Sequence, residues 1–68
     1  MTLTEAKALK VDDIVYNVAD MTKWRVTGNP KTWKRDESRV KVPVKHGLYN
    51  HGYITENNIE ELMLPMCS

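Results

Sequence analysis

Between Pro30 and Gly47 the chain reads PKTWKRDESRVKVPVKHG, a stretch holding six of the ten Lys and Arg residues of this 68-residue protein. Cations interleaved with an aromatic ring suit one chemistry in particular, the neutralisation of phosphates with a base stacked alongside. Lys31, Lys34 and Arg35 flank Trp33, and Arg39, Lys41 and Lys45 follow at even spacings. Lys31, Trp33, Lys34, Arg35, Arg39, Lys41 and Lys45 are therefore the candidate nucleic-acid-binding residues. The competing interpretation is an ordinary solvated strand face, where Lys and Arg serve solubility and edge protection. For Trp33, as for Trp24, the competing fate is the hydrophobic core.

The overall formal charge is only +1, but it is unevenly spread. Residues 23–46 carry eight basic and two acidic residues, whereas residues 47–68 carry three acids and no Lys or Arg. A nearly neutral domain can thus present one basic side to a polyanion. Other chemistries lack their residue types. His46 and His51 stand five apart and Cys67 is the single cysteine, short of the three or four convergent ligands of a zinc site. His46, beside Lys45, either adds a phosphate contact or is simply exposed to solvent, the preferred reading. Ser38 and Ser68 are the only serines, neither has a recognisable base nearby, and no Gly-rich phosphate loop or carboxylate pair occurs. The expectation is a non-enzymatic protein that needs no metal or cofactor.

The elements that must position these residues can be read along the chain. A length of 68 residues implies one domain spanning 1–68, with a thin stability margin. Thr2 stands three residues before Glu5, the spacing of a capping box, and Leu3, Ala6 and Leu9 recur at helical intervals, which predicts a short N-terminal helical turn. Lys10 to Val18 reads as a strand. In Lys23 to Thr27, Trp24 and Val26 alternate with Arg25 and Thr27, and Gly28-Asn29-Pro30 then interrupts the strand before pairing resumes through Lys31 to Lys34. Arg35 to Ser38 is expected as a polar turn. Arg39 to Lys45 is the cleanest strand: Val40, Val42 and Val44 point inward, Arg39, Lys41, Pro43 and Lys45 outward. Pro43 donates no ladder hydrogen bond and so belongs at an edge or an irregularity.

His46 to Gly52 predicts a tight reversal leading into Tyr53 and Ile54; Tyr49 and Tyr53 flank it and either reach the same surface as Trp33 or cap the barrel, the cap being the preferred reading. Thr55 to Asn58 predicts a capped turn; in Ile59 to Leu64, Ile59, Leu62 and Met63 have helical spacing, yet the stretch is short enough for a closing strand, which is the preferred reading. Four or five short strands joined by brief turns point to an all-β, small antiparallel barrel. No apolar run approaches the roughly 18 residues of a membrane span, and MTLTEAKALK lacks the apolar core of a signal peptide. With one cysteine and no possible internal disulfide, a cytoplasmic protein without a membrane partner is expected.

The segment GYITENNI, Gly52 to Ile59, resembles the end of SH3-like barrels, where a strand precedes a single 3₁₀ turn and a last strand closes the barrel. LKVDDIVYNV, Leu9 to Val18, is similar to the opening of SH3-like and KOW-type barrels, with Asp12-Asp13 standing where Gly-Asp is usual. The chain also resembles short proteins of bacteriophage or mobile elements. The resemblance implies an SH3-like barrel of about five strands, and either nucleic-acid binding, to DNA or RNA, or protein recognition. Signalling-type SH3 domains bind Pro-rich ligands with clustered aromatics and an acidic loop. Here the first strand offers only Tyr16, and Asp20 to Lys23 holds a single acid. The basic middle favours nucleic acid, with a protein-docking module, phage-encoded or self-assembling, as the alternative.

Overall fold

The computed structural model describes residues 1–64. Its elements run α1 (Leu3–Lys7), β1 (Ile14–Asn17), β2 (Thr22–Val26), β3 (Lys31–Trp33), β4 (Asp36–His46), β5 (Asn50–Thr55), a 3₁₀ turn (Ile59–Glu61) and β6 (Leu62–Met63). These strands pair antiparallel throughout. The fold is thus the small all-β architecture expected, a curled half-barrel with one short helix near its start.

β4 organises the sheet. Along one edge its C-terminal half pairs with β5, from Lys41↔Thr55 to His46↔Asn50. The other edge is shared: β3 pairs at Lys31↔Lys41 and Thr32↔Val40, and β2 at Arg25↔Lys45 and Val26↔Val44. β2 and β3 are therefore two segments of one interrupted strand. Pro43 lies opposite the interruption. Its carbonyl accepts from the Thr27 N–H at 2.9 Å, while its missing donor faces the gap where no ladder bond is needed. Gly28 is required at this break, since a Cβ there would lie 2.9 Å from the Pro43 ring. β1 continues the sheet beyond β2, and β6 returns to pair with its outer edge at Tyr16↔Met63 and Asn17↔Leu62.

The period-2 alternation closes the interior. Val40, Val42 and Val44 are buried together with Ala6, Leu9, Val15, Val26, Ile54 and Leu62, and Trp24, Leu3 and Ile59 pack against them. The helix contributes because its capping box forms as the spacing predicts. The Thr2 hydroxyl accepts from Glu5 N–H and the Glu5 carboxylate accepts from Thr2 N–H. That arrangement presents Ala6 to the core.

Several local expectations are corrected. The turn expected at Arg35 to Ser38 falls at Lys34-Arg35, because a bulge between Thr32 and Trp33 shifts the register so that Trp33 faces Asp36 and β4 begins there. β1 starts at Ile14 rather than Lys10: Lys10 N–H donates to the Asp13 carboxylate, and Asp12 takes a left-handed φ of 76°. The β4–β5 reversal is confined to Gly47, Leu48 and Tyr49, with Gly47 at φ 70°, so Asn50 and His51 already belong to β5. Ile59 to Leu64 is a 3₁₀ turn followed by a two-residue strand, the pattern that the SH3-like resemblance implied, instead of one continuous strand. Asn58 prepares that turn: its side chain accepts from Thr55 N–H at 2.8 Å and donates to the Tyr53 carbonyl at 2.9 Å.

Candidate nucleic-acid interface

With Val40, Val42 and Val44 turned inward, the alternate residues of the sheet share its outer face. Directly paired residues of antiparallel strands lie on the same side, and the register therefore sets out that face. Ile14 and Tyr16 from β1 adjoin Arg25 and Lys23 from β2; Arg25 adjoins Lys45; Lys31 adjoins Lys41; and Lys41, Pro43 and Lys45 adjoin Thr55, Tyr53 and His51 from β5. Because the sheet curls around its core, this outer face is convex.

Of the predicted residues, Lys31, Trp33, Arg39, Lys41 and Lys45 are brought together here. Lys34 and Arg35 extend from the β3–β4 turn at the end of the face, exposed to solvent. Trp33 lies outside the core cluster and is half-buried. The Arg39 guanidinium stands over its ring at 4.2 Å from the centroid, and the Lys31 ammonium lies 5.5 Å away. Trp24 has the opposite fate. It packs against the core, donates its indole N–H to the Thr22 hydroxyl at 2.7 Å, and lies 5.2 Å from the His46 ring.

Three contributors were not among the predicted residues. Lys23 and Arg25 reach the face from β2, and Tyr53, 53% exposed, reaches it from β5 with the Lys41 ammonium 4.2 Å above its ring. Of the two fates expected for Tyr53, the preferred cap of the interior is corrected to the alternative, the outer surface: Ile54 is the buried neighbour and strand alternation turns Tyr53 outward. Tyr49 does not cap it either: it is 87% exposed at the β4–β5 turn. Signals for all three existed in the alternation, which set Arg25 opposite Trp24 and Tyr53 opposite Ile54. Strand order was missing. His46 also departs from expectation. It is half-buried at the rim, with Nδ1 2.8 Å from the Lys23 carbonyl oxygen, whereas His51 is exposed on the outer face beside Lys45.

The electrostatics of the face are one-sided. The central outward positions named above include no acid; carboxylates stand at the ends of the face, Glu37 two residues before Arg39 on the same row of β4, Asp36 opposite Trp33 and Glu56 beside Arg39. Two direct cross-strand pairs join like charges, Lys31 with Lys41 and Arg25 with Lys45, an arrangement that destabilises a sheet. Among the described residues a single ion pair forms, Arg39 Nε to Glu56 Oε1 at 3.7 Å at the rim. The Glu56 carboxyl is held below the usual carboxylate range by backbone N–H groups, its own and that of Val40, with Arg39 adding to the effect. Asp36, where β4 begins, is lowered mainly by the hydroxyl and then the N–H of Ser38.

Lys23, Arg25 and Lys45 border a shallow depression of about 250 Å³, completed by Ile14, Trp24 and Gly47. An anion seated there would meet cations and no carboxylate. Among the described residues no group of three His, Cys, Asp or Glu side chains is placed to hold a metal ion, and Cys67 and Ser68 lie outside those residues. No helix among them is long and apolar enough to cross a membrane. In comparison with known proteins, the chain matches no family model, no curated protein and no solved structure.

Proposed function

We propose that this protein is a non-enzymatic nucleic-acid-binding domain of SH3-like, KOW-related type that engages DNA or RNA through its convex outer face. One observation carries the proposal: two like-charge cross-strand pairs, Lys31–Lys41 and Arg25–Lys45, lie on that face, and none of the four is ion-paired among the described residues. A surface selected only for solubility intersperses both signs and gains from opposite-charge pairs across strands. Juxtaposed cations instead repel until a polyanion neutralises them, and the counterions released then contribute to affinity. The left-handed Asp12 supports the fold assignment, because it occupies the position where KOW-type sequences carry glycine, in a conformation that glycine adopts without strain.

The experiment is a salt titration of binding to generic DNA and RNA. Replacing Lys34, Arg35, Arg39 and Lys41 together by Gln is expected to leave the melting temperature nearly unchanged. It should weaken binding similarly across sequences and flatten the plot of log affinity against log salt by about one unit for every phosphate left unneutralised. Absence of binding at about 50 mM salt by the native protein would falsify the proposal.

The alternative reading, a protein-docking module, has its own observation. Val18, Met21, Tyr16 and Met63 are exposed and line an apolar hollow of about 210 Å³ with Asn17 and Thr22. It lies at the β1–β2 turn and is the surface that a protein-docking module would use. A complex formed there would be insensitive to salt.

A further inference from the structure

We infer that the ligand of this face is single-stranded nucleic acid and that Tyr53 is a second base-stacking platform, paired with Trp33 across β4; this rests on the nucleic-acid function proposed above. Three observations converge. First, Trp33 and Tyr53 are both on the outer face, Trp33 on β3 against the outward Lys31 and Arg39 and Tyr53 on β5 opposite the outward Pro43, with β4 between them. Two strand spacings separate them across the sheet, about 10 Å, and the run from Arg39 to Pro43 offsets them along it by about 13 Å, a span that an extended strand of a few nucleotides covers. Second, each ring is matched to a cation from the intervening strand, Arg39 over Trp33 and Lys41 over Tyr53, both at 4.2 Å. Phosphates running along β4 therefore meet charge where flanking bases meet a ring. No acid among the described residues lies within ion-pairing distance of Lys41, so Lys41 can exchange its place over the ring for a phosphate when a base arrives. The Arg39 guanidinium itself offers a plane on which a base stacks. Third, the face is convex. A rigid duplex touches a convex surface over a short arc and keeps its base faces stacked within the helix, whereas a single strand bends over the surface and exposes bases to exposed rings.

The position of Tyr53 in the sheet keeps its ring available. Its direct cross-strand partner is Pro43, whose small ring leaves Tyr53 53% exposed. The aromatic face is thus presented to solvent on a rigid strand.

The test compares three fluorescently labelled probes with the intact protein: a thymidine oligonucleotide, an abasic deoxyribose-phosphate strand of equal length, and a duplex of that length. The native protein is expected to bind the thymidine strand more tightly than either of the others. Tyr53→Ala and Trp33→Ala should each weaken thymidine-strand binding by about 5- to 150-fold, the range expected for one stacked base. Neither should change abasic-strand affinity or the salt slope, and Tyr53→Phe should restore binding. Melting curves accompany each variant, and Tyr53→Phe retains the ring if Tyr53→Ala fails to fold. Equal binding of the thymidine and abasic strands, or native-like affinity of a folded Tyr53→Ala protein, overturns this inference while leaving polyanion binding intact. Failure of all three probes to bind at about 50 mM salt overturns the underlying function as well.

Discussion

The two faces of β4 differ in what holds them. The inner row, Val40, Val42 and Val44, is buried at 5% exposure or less and meets Ile54, Val26 and Gly52 across the neighbouring strands. Its energy comes from apolar area removed from water, about 25 cal/mol for each Å², and a strand slip of one residue would forfeit it. The outer row, Arg39, Lys41, Pro43 and Lys45, adds little of this kind and includes cations set against cations. One row thus stabilises the sheet, and the other tolerates repulsion that only a ligand would relieve. A domain of this size has a stability of about 3 to 10 kcal/mol, so the repulsion is tolerable only because the inner row is complete.

The strongest way to break the contrast is to place the same charge on each side. Val42→Asp buries an unpaired carboxylate among valines and is expected to unfold the domain, whereas Lys41→Asp, one residue along, should leave it folded with a native-like circular dichroism spectrum. A Val42→Asp protein that melts with the parent would mean that the register of β4 is wrong.

A smaller effect of opposite sign is expected from the repulsive pair. Lys45→Gln removes the like charge facing Arg25, which should stabilise the protein by about 0.2 to 0.5 kcal/mol at low salt while weakening nucleic-acid binding. At about 1 M salt, where screening acts within about 3 Å, the stability difference should vanish. Thermal melts at the two salt concentrations measure it; a destabilised Lys45→Gln protein would assign Lys45 a structural role.

The smallest effect concerns the acid at the rim. The Glu5, Asp36 and Glu56 carboxyls are all lowered in the folded protein, chiefly by hydrogen bonds from Thr2, from Ser38 and from backbone N–H groups respectively. Each therefore favours the folded state above its unfolded value, and that contribution is lost as pH falls through the lowered one. Stability should decline below about pH 4. Glu56→Gln should make that decline slightly shallower and, by releasing Arg39, tighten nucleic-acid binding up to a few-fold near neutral pH. A pH series of melts and one binding isotherm check both.

Much of this organisation was written in the sequence. Strand alternation alone turned the valines inward and put Arg39, Lys41 and Lys45 on the other side, because successive strand residues point to opposite faces whatever the strand pairs with. Capping chemistry marked α1 from the Thr2–Glu5 spacing, and Gly28-Asn29-Pro30 marked the break between β2 and β3, since both features depend on residues close along the chain. Tertiary structure alone decided which strands lie side by side. Lys23 and Arg25 joined the cationic face only when β2 settled beside the C-terminal half of β4. Tyr53 turned away from the interior only when Ile54 paired with Val42. His46 became half-buried when its ring met the Lys23 carbonyl and Trp24, residues more than twenty positions away. The bulge at Thr32–Trp33 moved a turn that composition had placed elsewhere, because bulges follow the twist and register of a pair and leave no fixed residue signature. Local rules determined the direction of each side chain relative to its own strand; the company each side chain keeps was set by long-range pairing, which a single strand does not encode.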